Sequence, residues 1–318
     1  MSGGWSWTRR GLLVAPPPSD DVWRTHAQAP TVLALSERLW RVYFAARDAG
    51  NRTHPYAAEL DPEDGMRVLA IRRSPPVVAP SAPGRFDAAG LGASCALPHG
   101  ERVRLYYTGF FVRTDVPHHQ AVGLAESDDG LRFERVAEGP VFTHGIRDPY
   151  FVSMPFVRRT ASGYEMWYTS GTGWYDGGGR LEATYALRRT VSADGVLWSA
   201  ESEPALAIEG RAPFADTRPW IARTGGRDEL WFSSHGPAFR DGGAEAYRLF
   251  HAPLDASGTR AVAPVSEVAF ENPPQPGEWD AQMQCYACVV PYEDGLAMFY
   301  NGNGFGTTGF GWAIGVRR

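Results

Sequence analysis

Three aspartates occupy one equivalent position in a sequence that repeats itself at intervals of 61 to 68 residues. Asp87, Asp148 and Asp280 each lie seven residues before a position that the repeats share. Carboxylates accept hydrogen bonds from sugar hydroxyls, and crowded carboxylates move each other's pKa values apart, which acid–base catalysis can use. We predict Asp148 and Asp280 as catalytic residues and Asp87 as a substrate-binding residue. The alternative is that these aspartates cap turns where strands begin.

The other two repeats have Trp23 and Ala212 at the aspartate position. Polar side chains instead lie nearer their strands, at Arg24, His26, Gln28, Asp216 and Arg218. A histidine titrates near neutral pH, so we predict His26 as a catalytic residue, although a metal ligand or a hydrogen-bonded core histidine has the same sequence signature. Arg24, Gln28 and Arg218 are predicted to bind substrate.

Aromatic and amide side chains complete the predicted binding site. Aromatic faces stack on sugar rings, and amides both donate to and accept from hydroxyls. The remaining predicted substrate-binding residues are Trp174, Trp220, Gln282 and Asn301. Asn301 begins a glycine-rich run, Asn301-Gly-Asn-Gly-Phe-Gly306, that lies between two strands. Without a following helix this run is a poor phosphate-binding loop, so we interpret it as a tight loop near the ligand.

The elements that position these residues form a fivefold repeat. An aromatic strand occurs at 40–44, 104–108, 165–169, 229–233 and 297–301, and its matched aromatics are Tyr43, Tyr107, Tyr168, Phe232 and Tyr300. Thirteen residues before each lies the shared position, at Pro30, Ser94, Pro155, Pro219 and Ala287. Asp-Gly turns, which join antiparallel strands, follow most of the aromatic strands. A unit of this length with four short strands is typical of a propeller blade.

The repeat predicts an all-β fold, a five-bladed β-propeller with four-stranded antiparallel blades. Residues 1–318 are predicted to be a single domain. The last unit lacks an outer strand, whereas residues 5–14 resemble one. We therefore predict that an N-terminal strand closes the last blade, which removes exposed sheet edges.

Composition excludes several classes of function. All 31 basic residues are arginine, so lysine Schiff bases, a P-loop lysine and covalent pyridoxal phosphate are excluded. The net charge of −5 and the scattered arginines argue against nucleic-acid binding. No signal peptide or membrane span is recognisable, which predicts a cytoplasmic protein with no membrane partner. Cys95, Cys285 and Cys288 are interpreted as buried structural thiols, and no cofactor is predicted.

Several motifs together resemble the five-bladed glycosidase-like superfamily. Arg147-Asp148-Pro149 resembles the Arg-Asp-Pro motif of glycoside hydrolase families 32 and 68, and the blade plan is similar to families 43 and 130. The runs His26–Pro30, 41–48, 170–174, 218–220, 279–280 and 300–304 resemble a bacterial group of intracellular glycosidase-like propellers. The resemblance spans nearly the whole chain.

The resemblance implies an enzyme with a stabilising aspartate at Asp148 and a central funnel that binds a small sugar-containing molecule. Where these families carry a blade-one aspartate, this chain has His26 and Gln28, and Gln282 stands where an acidic residue is expected. We expect a glycosidase-like enzyme acting on a small glycoside or sugar-containing biosynthetic intermediate. The alternatives are a cyclase, lyase or isomerase, or a catalytically inactive sugar-binding propeller. Some related propellers carry a channel metal ion, although no metal-ligand spacing occurs in this sequence.

Overall fold

The computed structural model describes residues 4–73, 77–206 and 214–318 of the chain. Within these ranges the strands form five antiparallel four-stranded sheets. The interpretation of residues 1–318 as one domain stays a prediction, because residues 1–3, 74–76 and 207–213, including Ala212, lie outside the described residues. None of the helices in the described ranges is long and apolar enough to cross a membrane.

The twenty strands follow the predicted blade order. They are β1 (Trp5–Val14), β2 (Thr25–Ser36), β3 (Leu39–Arg47), β4 (Thr53–Asp61), β5 (Arg67–Arg72), β6 (Leu91–His99), β7 (Arg102–Phe111), β8 (His119–Ser127), β9 (Glu134–Arg135), β10 (Val152–Thr160), β11 (Gly163–Asp176), β12 (Leu181–Ser192), β13 (Glu203–Pro204), β14 (Thr217–Thr224), β15 (Arg227–Ser234), β16 (Arg248–Pro253), β17 (Ser266–Glu267), β18 (Cys285–Tyr292), β19 (Gly295–Asn301) and β20 (Phe310–Arg317). The helical segments are short, at Pro62–Asp64, Phe239–Asp241 and Asn303–Gly306.

Strands β2, β6, β10, β14 and β18 are the inner strands of blades one to five. Each contacts the inner strands of both neighbouring blades, so that the five surround a common axis. In blades one to four the second, third and outer strands follow outward in sequence order, whereas in blade five β19 and β20 follow β18 and β1 is the outer strand. The predicted five-bladed propeller is confirmed.

Strand β1 closes the propeller as predicted. It pairs antiparallel with β20 from Trp5 opposite Arg317 to Val14 opposite Phe310, so the fifth sheet contains both ends of the described chain. The pairing covers the outward edge of β20, which would otherwise present unpaired backbone groups to solvent.

Each inner strand carries a bulge at the shared position. The pairing register shifts there in all five blades. In four blades the residue just before the shared position has a positive φ, namely Ala29, Met154, Arg218 and Tyr286. A β-bulge with a left-handed residue turns the strand and re-aims its side chains. The bulges therefore determine which side chains of the inner strands face the axis.

The register corrects the matched aromatic of blade one. Ala45 pairs with Gln28, just as Thr169 pairs with Ser153 in blade three. The residue equivalent to Tyr168 is therefore Phe44, and the prediction of Tyr43 was wrong by one position. Tyr43 is equivalent to Tyr106 instead.

The Asp-Gly turns join neighbouring blades as well as neighbouring strands. The Tyr43 hydroxyl donates to the Gly130 carbonyl oxygen at 2.7 Å, and the Tyr106 hydroxyl donates to that of Gly195 at 2.7 Å. Arg41 reaches the same turn of blade two, at the carbonyl oxygen of Asp129. Because these contacts cross between blades, they hold adjacent sheets in register around the axis.

The three cysteines are buried free thiols, as predicted. Burial raises the pKa of Cys95 to about 11 and that of Cys288 to about 12. A thiol that stays protonated is a poor nucleophile and a poor metal ligand, so these residues contribute to packing.

Candidate functional site

One face of the propeller gathers the side chains with the greatest capacity for chemistry. The inner strands begin on this face, and the second strands end there, so that each blade contributes both ends of a hairpin. We call this face the funnel, and we define it by His26, Arg47, His118, Trp174, Glu182, Tyr185, His235, Arg240, Tyr247, Tyr286 and Phe305.

The contacts between blades two and three in the funnel are aromatic. The His118 ring lies 5.3 Å from the Trp174 ring and 6.0 Å from the Phe151 ring. Phe151 in turn lies 6.2 Å from Tyr185 of β12. His118 is half-buried, and the adjacent His119 is buried against Phe111.

A polar network joins blades three and four. The Tyr185 hydroxyl lies 3.3 Å from His235 Nε2 and 3.1 Å from the Tyr247 hydroxyl. His235 Nδ1 lies 2.7 Å from the Gly236 carbonyl oxygen, so this nitrogen carries the proton and Nε2 is left as an acceptor. A fixed imidazole tautomer next to a phenol is an arrangement that can pass a proton.

The contacts continue through blade five to blade one. Tyr247 lies 5.5 Å from the Tyr286 ring and 5.8 Å from the Phe305 ring. Two residues beyond Phe305, the Thr307 hydroxyl lies 3.3 Å from His26 Nε2. Side chains from all five blades therefore contribute to the rim of the funnel.

Arg218 closes the channel at the centre of the molecule. Its side chain is fully buried, and its guanidinium donates to the Ser94 carbonyl oxygen at 2.6 Å, the Pro30 carbonyl oxygen at 3.0 Å and Thr31 Oγ1 at 2.8 Å. Blade four is thereby bonded to blades one and two across the axis. These contacts favour a structural role, and the predicted role in substrate binding stays a prediction.

Burial keeps the funnel histidines neutral. It lowers the pKa of His26 to about 3 and those of His118 and His235 to about 4. Arg47 adds to the effect at His26 because two positive charges repel. Burial also raises the pKa of Tyr185 to about 12. At neutral pH the rim therefore holds neutral imidazoles, which can accept hydrogen bonds, and a protonated phenol, which can donate one.

Glu182 is the carboxylate most closely associated with this rim. It accepts two hydrogen bonds from Arg240 at 2.6 and 3.1 Å, and Arg180 lies 3.4 Å from the same carboxylate. The Arg240 guanidinium lies over the Phe239 and Phe305 rings at 4.8 and 5.1 Å. The charges at this side of the funnel are thus held against aromatic surface, a combination that suits a polar ligand with an apolar face.

The three repeated aspartates lie in buried clamps within their own blades. The Tyr168 hydroxyl donates to Asp148 at 2.9 Å, and the Tyr300 hydroxyl donates to Asp280 at 2.7 Å. The Tyr107 hydroxyl makes the same bond to Asp87 at 3.2 Å. An arginine from a strand farther out completes each clamp: Arg135 for Asp87, Arg188 for Asp148 and Arg9 for Asp280.

The clamp residues vary together. Blades one and four have Trp23 and Ala212 in place of the aspartate, and both have phenylalanine, Phe44 and Phe232, in place of the tyrosine. A phenol without its carboxylate would lose its hydrogen-bond partner, so the paired change fits a structural unit. All three aspartates are at most 3% exposed. Their predicted catalytic and binding roles stay predictions, and the contacts with tyrosine and arginine favour a structural role.

The other predicted residues lie at several depths. Trp174 and His26 belong to the funnel rim. Gln28 is buried with its Oε1 atom unpaired, and Asn301 joins blades five and one by accepting from the Ala29 amide at 2.9 Å. Arg24 and Gln282 are exposed. Trp220 packs in the core, where its ring lies 4.9 Å from that of Phe156.

Sequence reasoning missed Arg47, Glu182, Tyr185, Arg240, Tyr247 and Tyr286. These residues lie at strand ends, in loops or at a bulge, where no motif marks them. The signal available in the sequence was positional: the ends of second strands and starts of third strands face the same side as the starts of inner strands. Within the described ranges, no group of three or more histidine, cysteine, aspartate or glutamate side chains could hold a metal ion.

Solved structures show that this fold is that of glycoside hydrolases. A glycoside hydrolase described with the GH130 family of mannoside phosphorylases aligns with a TM-score of 0.64 and 15% identity, over 99% of this chain and 94% of the other. A GH43_1 enzyme from Xanthomonas citri aligns with a TM-score of 0.59 and 11% identity, over 95% and 91% of the two chains. At these identities the likeness shows the five-bladed glycosidase-like fold.

No family model matches the sequence. Curated relatives cover nearly the whole chain: uncharacterized protein Rv1502 of Mycobacterium tuberculosis strain H37Rv is 31% identical over 309 residues, 97% of this chain and 99% of the relative. Uncharacterized protein MT1551 of strain CDC 1551 has the same identity and coverage. The chain therefore belongs to the same family as the Mycobacterium tuberculosis protein Rv1502.

Proposed function

We propose that this protein is a glycosidase-like enzyme that acts on a small glycoside or sugar-containing biosynthetic intermediate bound in the funnel. The observation that carries the proposal is the rim itself, where aromatic rings alternate with polar groups from all five blades. Sugar-binding sites combine ring stacking with a few fixed donors and acceptors, and the rim offers both. The fold supports the proposal because its structural neighbours include glycoside hydrolases. A cytoplasmic location and a role in biosynthesis stay predictions.

The proton transfers are assigned to the Tyr185 and His235 pair. His235 Nε2 is the acceptor, because Nδ1 is bound to the Gly236 carbonyl oxygen. Tyr185 remains protonated at neutral pH and can donate toward a leaving oxygen. His26 is proposed to assist from blade one, where it lies 2.8 Å from Thr25 Oγ1. Trp174 offers an aromatic face for the sugar ring.

A non-hydrolytic reaction is the second candidate. Glycoside hydrolysis by two carboxylates requires both carboxyl groups to flank the scissile bond. Asp148 and Asp280 are instead held in separate clamps, and blade one offers His26 and Gln28. A funnel whose proton donors and acceptors are tyrosine and histidine suits an isomerase, lyase or cyclase equally well.

The direct test is turnover on a panel of α- and β-linked aryl glycosides and disaccharides, both neutral and acidic, with released reducing sugar as the readout. We expect release from one class of substrate. If no substrate of the panel releases reducing sugar but one of them is still converted, the isomerase, lyase or cyclase candidate is favoured and hydrolysis is overturned.

Tyr185→Phe tests the residue assignment. Loss of a general acid lowers kcat by about 100-fold or more, with little change in KM because the ring still packs. Tyr175→Phe is the matched control, since the Tyr175 hydroxyl donates to the Pro237 carbonyl oxygen at the exposed edge of the same face. Equal kcat values for the two variants would contradict the assignment.

A further inference from the structure

Arg47 is a half-buried cation that has no carboxylate partner among the described residues. It ends β3, and its side chain makes one long hydrogen bond, from Nη1 to Asn51 Oδ1 at 3.4 Å. Its Nε atom is buried and unpaired. No carboxylate of the described chain lies within 4.0 Å of its guanidinium. Arg41 and Arg104 differ from Arg47 because each binds a glutamate, at 2.9 and 2.8 Å respectively.

Arg47 lies at the funnel end of β3, where it pairs across the sheet with Thr25, the residue before His26. Burial lowers the pKa of Arg47, and the positive charges of Arg240 and Arg180 lower it further, whereas Tyr286 opposes them. These three residues belong to blades four, three and five, so groups from across the funnel act on a side chain of blade one. Glu182, which lies among them, is already paired with Arg240 and Arg180.

We propose that Arg47 binds an anionic group of the substrate, a carboxylate or a phosphate, so that the funnel takes an acidic sugar derivative. The inference deepens the proposed function and rests on it. An unpaired charge is costly to bury, whereas a planar guanidinium matches carboxylate and phosphate oxygens in two parallel hydrogen bonds. The ligand therefore supplies the negative charge that Arg47 lacks among the described residues.

Gln28 offers a second, neutral polar group on blade one. Gln28 pairs across the sheet with Ala45, two residues before Arg47, so the side chains of Gln28 and Arg47 lie on the same face of the blade. Its Oε1 atom is buried and has no partner. An acceptor on the same face of the blade as a cation suits a ligand that carries both a hydroxyl and an anionic group, as in a uronic acid or a sugar phosphate.

Calorimetric titration with four probes tests the proposal: D-glucuronate, glucose 6-phosphate, inorganic phosphate and D-glucose. We expect glucuronate or glucose 6-phosphate to bind at least tenfold more tightly than glucose, and added salt to weaken the binding. The acid that binds more tightly shows whether the site prefers a carboxylate or a phosphate. Arg47→Gln is expected to lower the affinity for this acid by about 30-fold or more. Arg52→Gln, an exposed arginine paired with Asp48, is the matched control.

A second readout does not depend on the ligand. Removing an unpaired buried charge stabilises a protein, so Arg47→Met is expected to raise the melting temperature of the free protein by about 2 °C. Arg218→Met is expected to lower it, because Arg218 binds three backbone and hydroxyl oxygens. A fall for Arg47→Met, or equal affinity for acids and glucose, would overturn the anion site. Acid binding without turnover would leave the site standing and contradict only the enzymatic proposal.

Discussion

At the scale of single residues, the repeated aspartate position can be interpreted as either catalytic or structural. Asp87, Asp148 and Asp280 carry a residue type that catalysis uses, at a position that recurs through the repeat. Their partners were not visible in the sequence, because the tyrosine lies 20 residues later and the arginine comes from another strand. The paired absence of aspartate and tyrosine in blades one and four became visible only with the strand register, which replaces Tyr43 by Phe44 as the matched aromatic of blade one. This paired absence indicates a structural unit.

Asp280→Ala tests the structural account of the clamps. The substitution leaves Arg9 and the Tyr300 hydroxyl without their buried partner, so we expect the free energy of unfolding to fall by about 3 kcal/mol. Urea denaturation measures the loss. The control is Glu278→Ala, which removes the exposed carboxylate bound to the same arginine and should cost less than about 1 kcal/mol. A stable Asp280→Ala protein that loses turnover would instead support the catalytic role.

The neutral funnel histidines predict a dependence of stability on pH. The pKa of His118 is lowered from its usual value near 6.5 to about 4, because its burial disfavours the imidazolium. Below pH 6.5 the unfolded chain therefore binds a proton that the folded chain does not. Stability is full above this pH and falls as the pH drops toward 4.

His118→Phe tests this dependence, since a phenyl ring keeps the contacts with Phe151 and Trp174 but does not titrate. We expect the urea midpoint of the variant to fall less than that of the wild type between pH 7 and pH 5. Parallel losses in the two proteins would show that His118 is not the group that is protonated.

At the scale of elements, the inner-strand bulge is the feature that shapes the funnel. The repeat length and the aromatic strands predicted the blades because both depend on local sequence patterns. The bulge was not predictable, since Ala29, Met154, Arg218 and Tyr286 share a positive φ without sharing a residue type. Tertiary pairing imposes this conformation, which is why the site residues beside it carry no motif.

Ala29 and Ala27 provide a matched test of the bulge. Both are buried, but Ala29 has a φ of 52° whereas Ala27 is not among the residues with positive φ. Glycine tolerates the left-handed region, so relief of strain should offset the loss of the methyl group at Ala29. We expect Ala29→Gly to change the free energy of unfolding by less than about 0.5 kcal/mol and Ala27→Gly to lower it by about 1 kcal/mol. Equal losses by urea denaturation would argue against strain at the bulge.

At the scale of the whole molecule, β1 pairs with β20 and thereby completes the fifth blade of the propeller that surrounds the funnel. The sequence predicted this closure because the fifth repeat lacked an outer strand. The predicted site was less complete: the rim includes His26 and Trp174, whereas Tyr185, His235 and Arg47 come together only when the blades surround the axis. Residues distant in sequence meet through topology, which no local pattern encodes.

The most direct test of the account is a crystal structure of the protein soaked with D-glucuronate and glucose 6-phosphate. The account predicts ligand density in the funnel, with an anionic oxygen within about 3 Å of the Arg47 guanidinium and a hydroxyl near Tyr185 or Gln28. Ligand density beside Asp148 or Asp280 instead, or an empty funnel at saturating concentrations of both sugars, would contradict it.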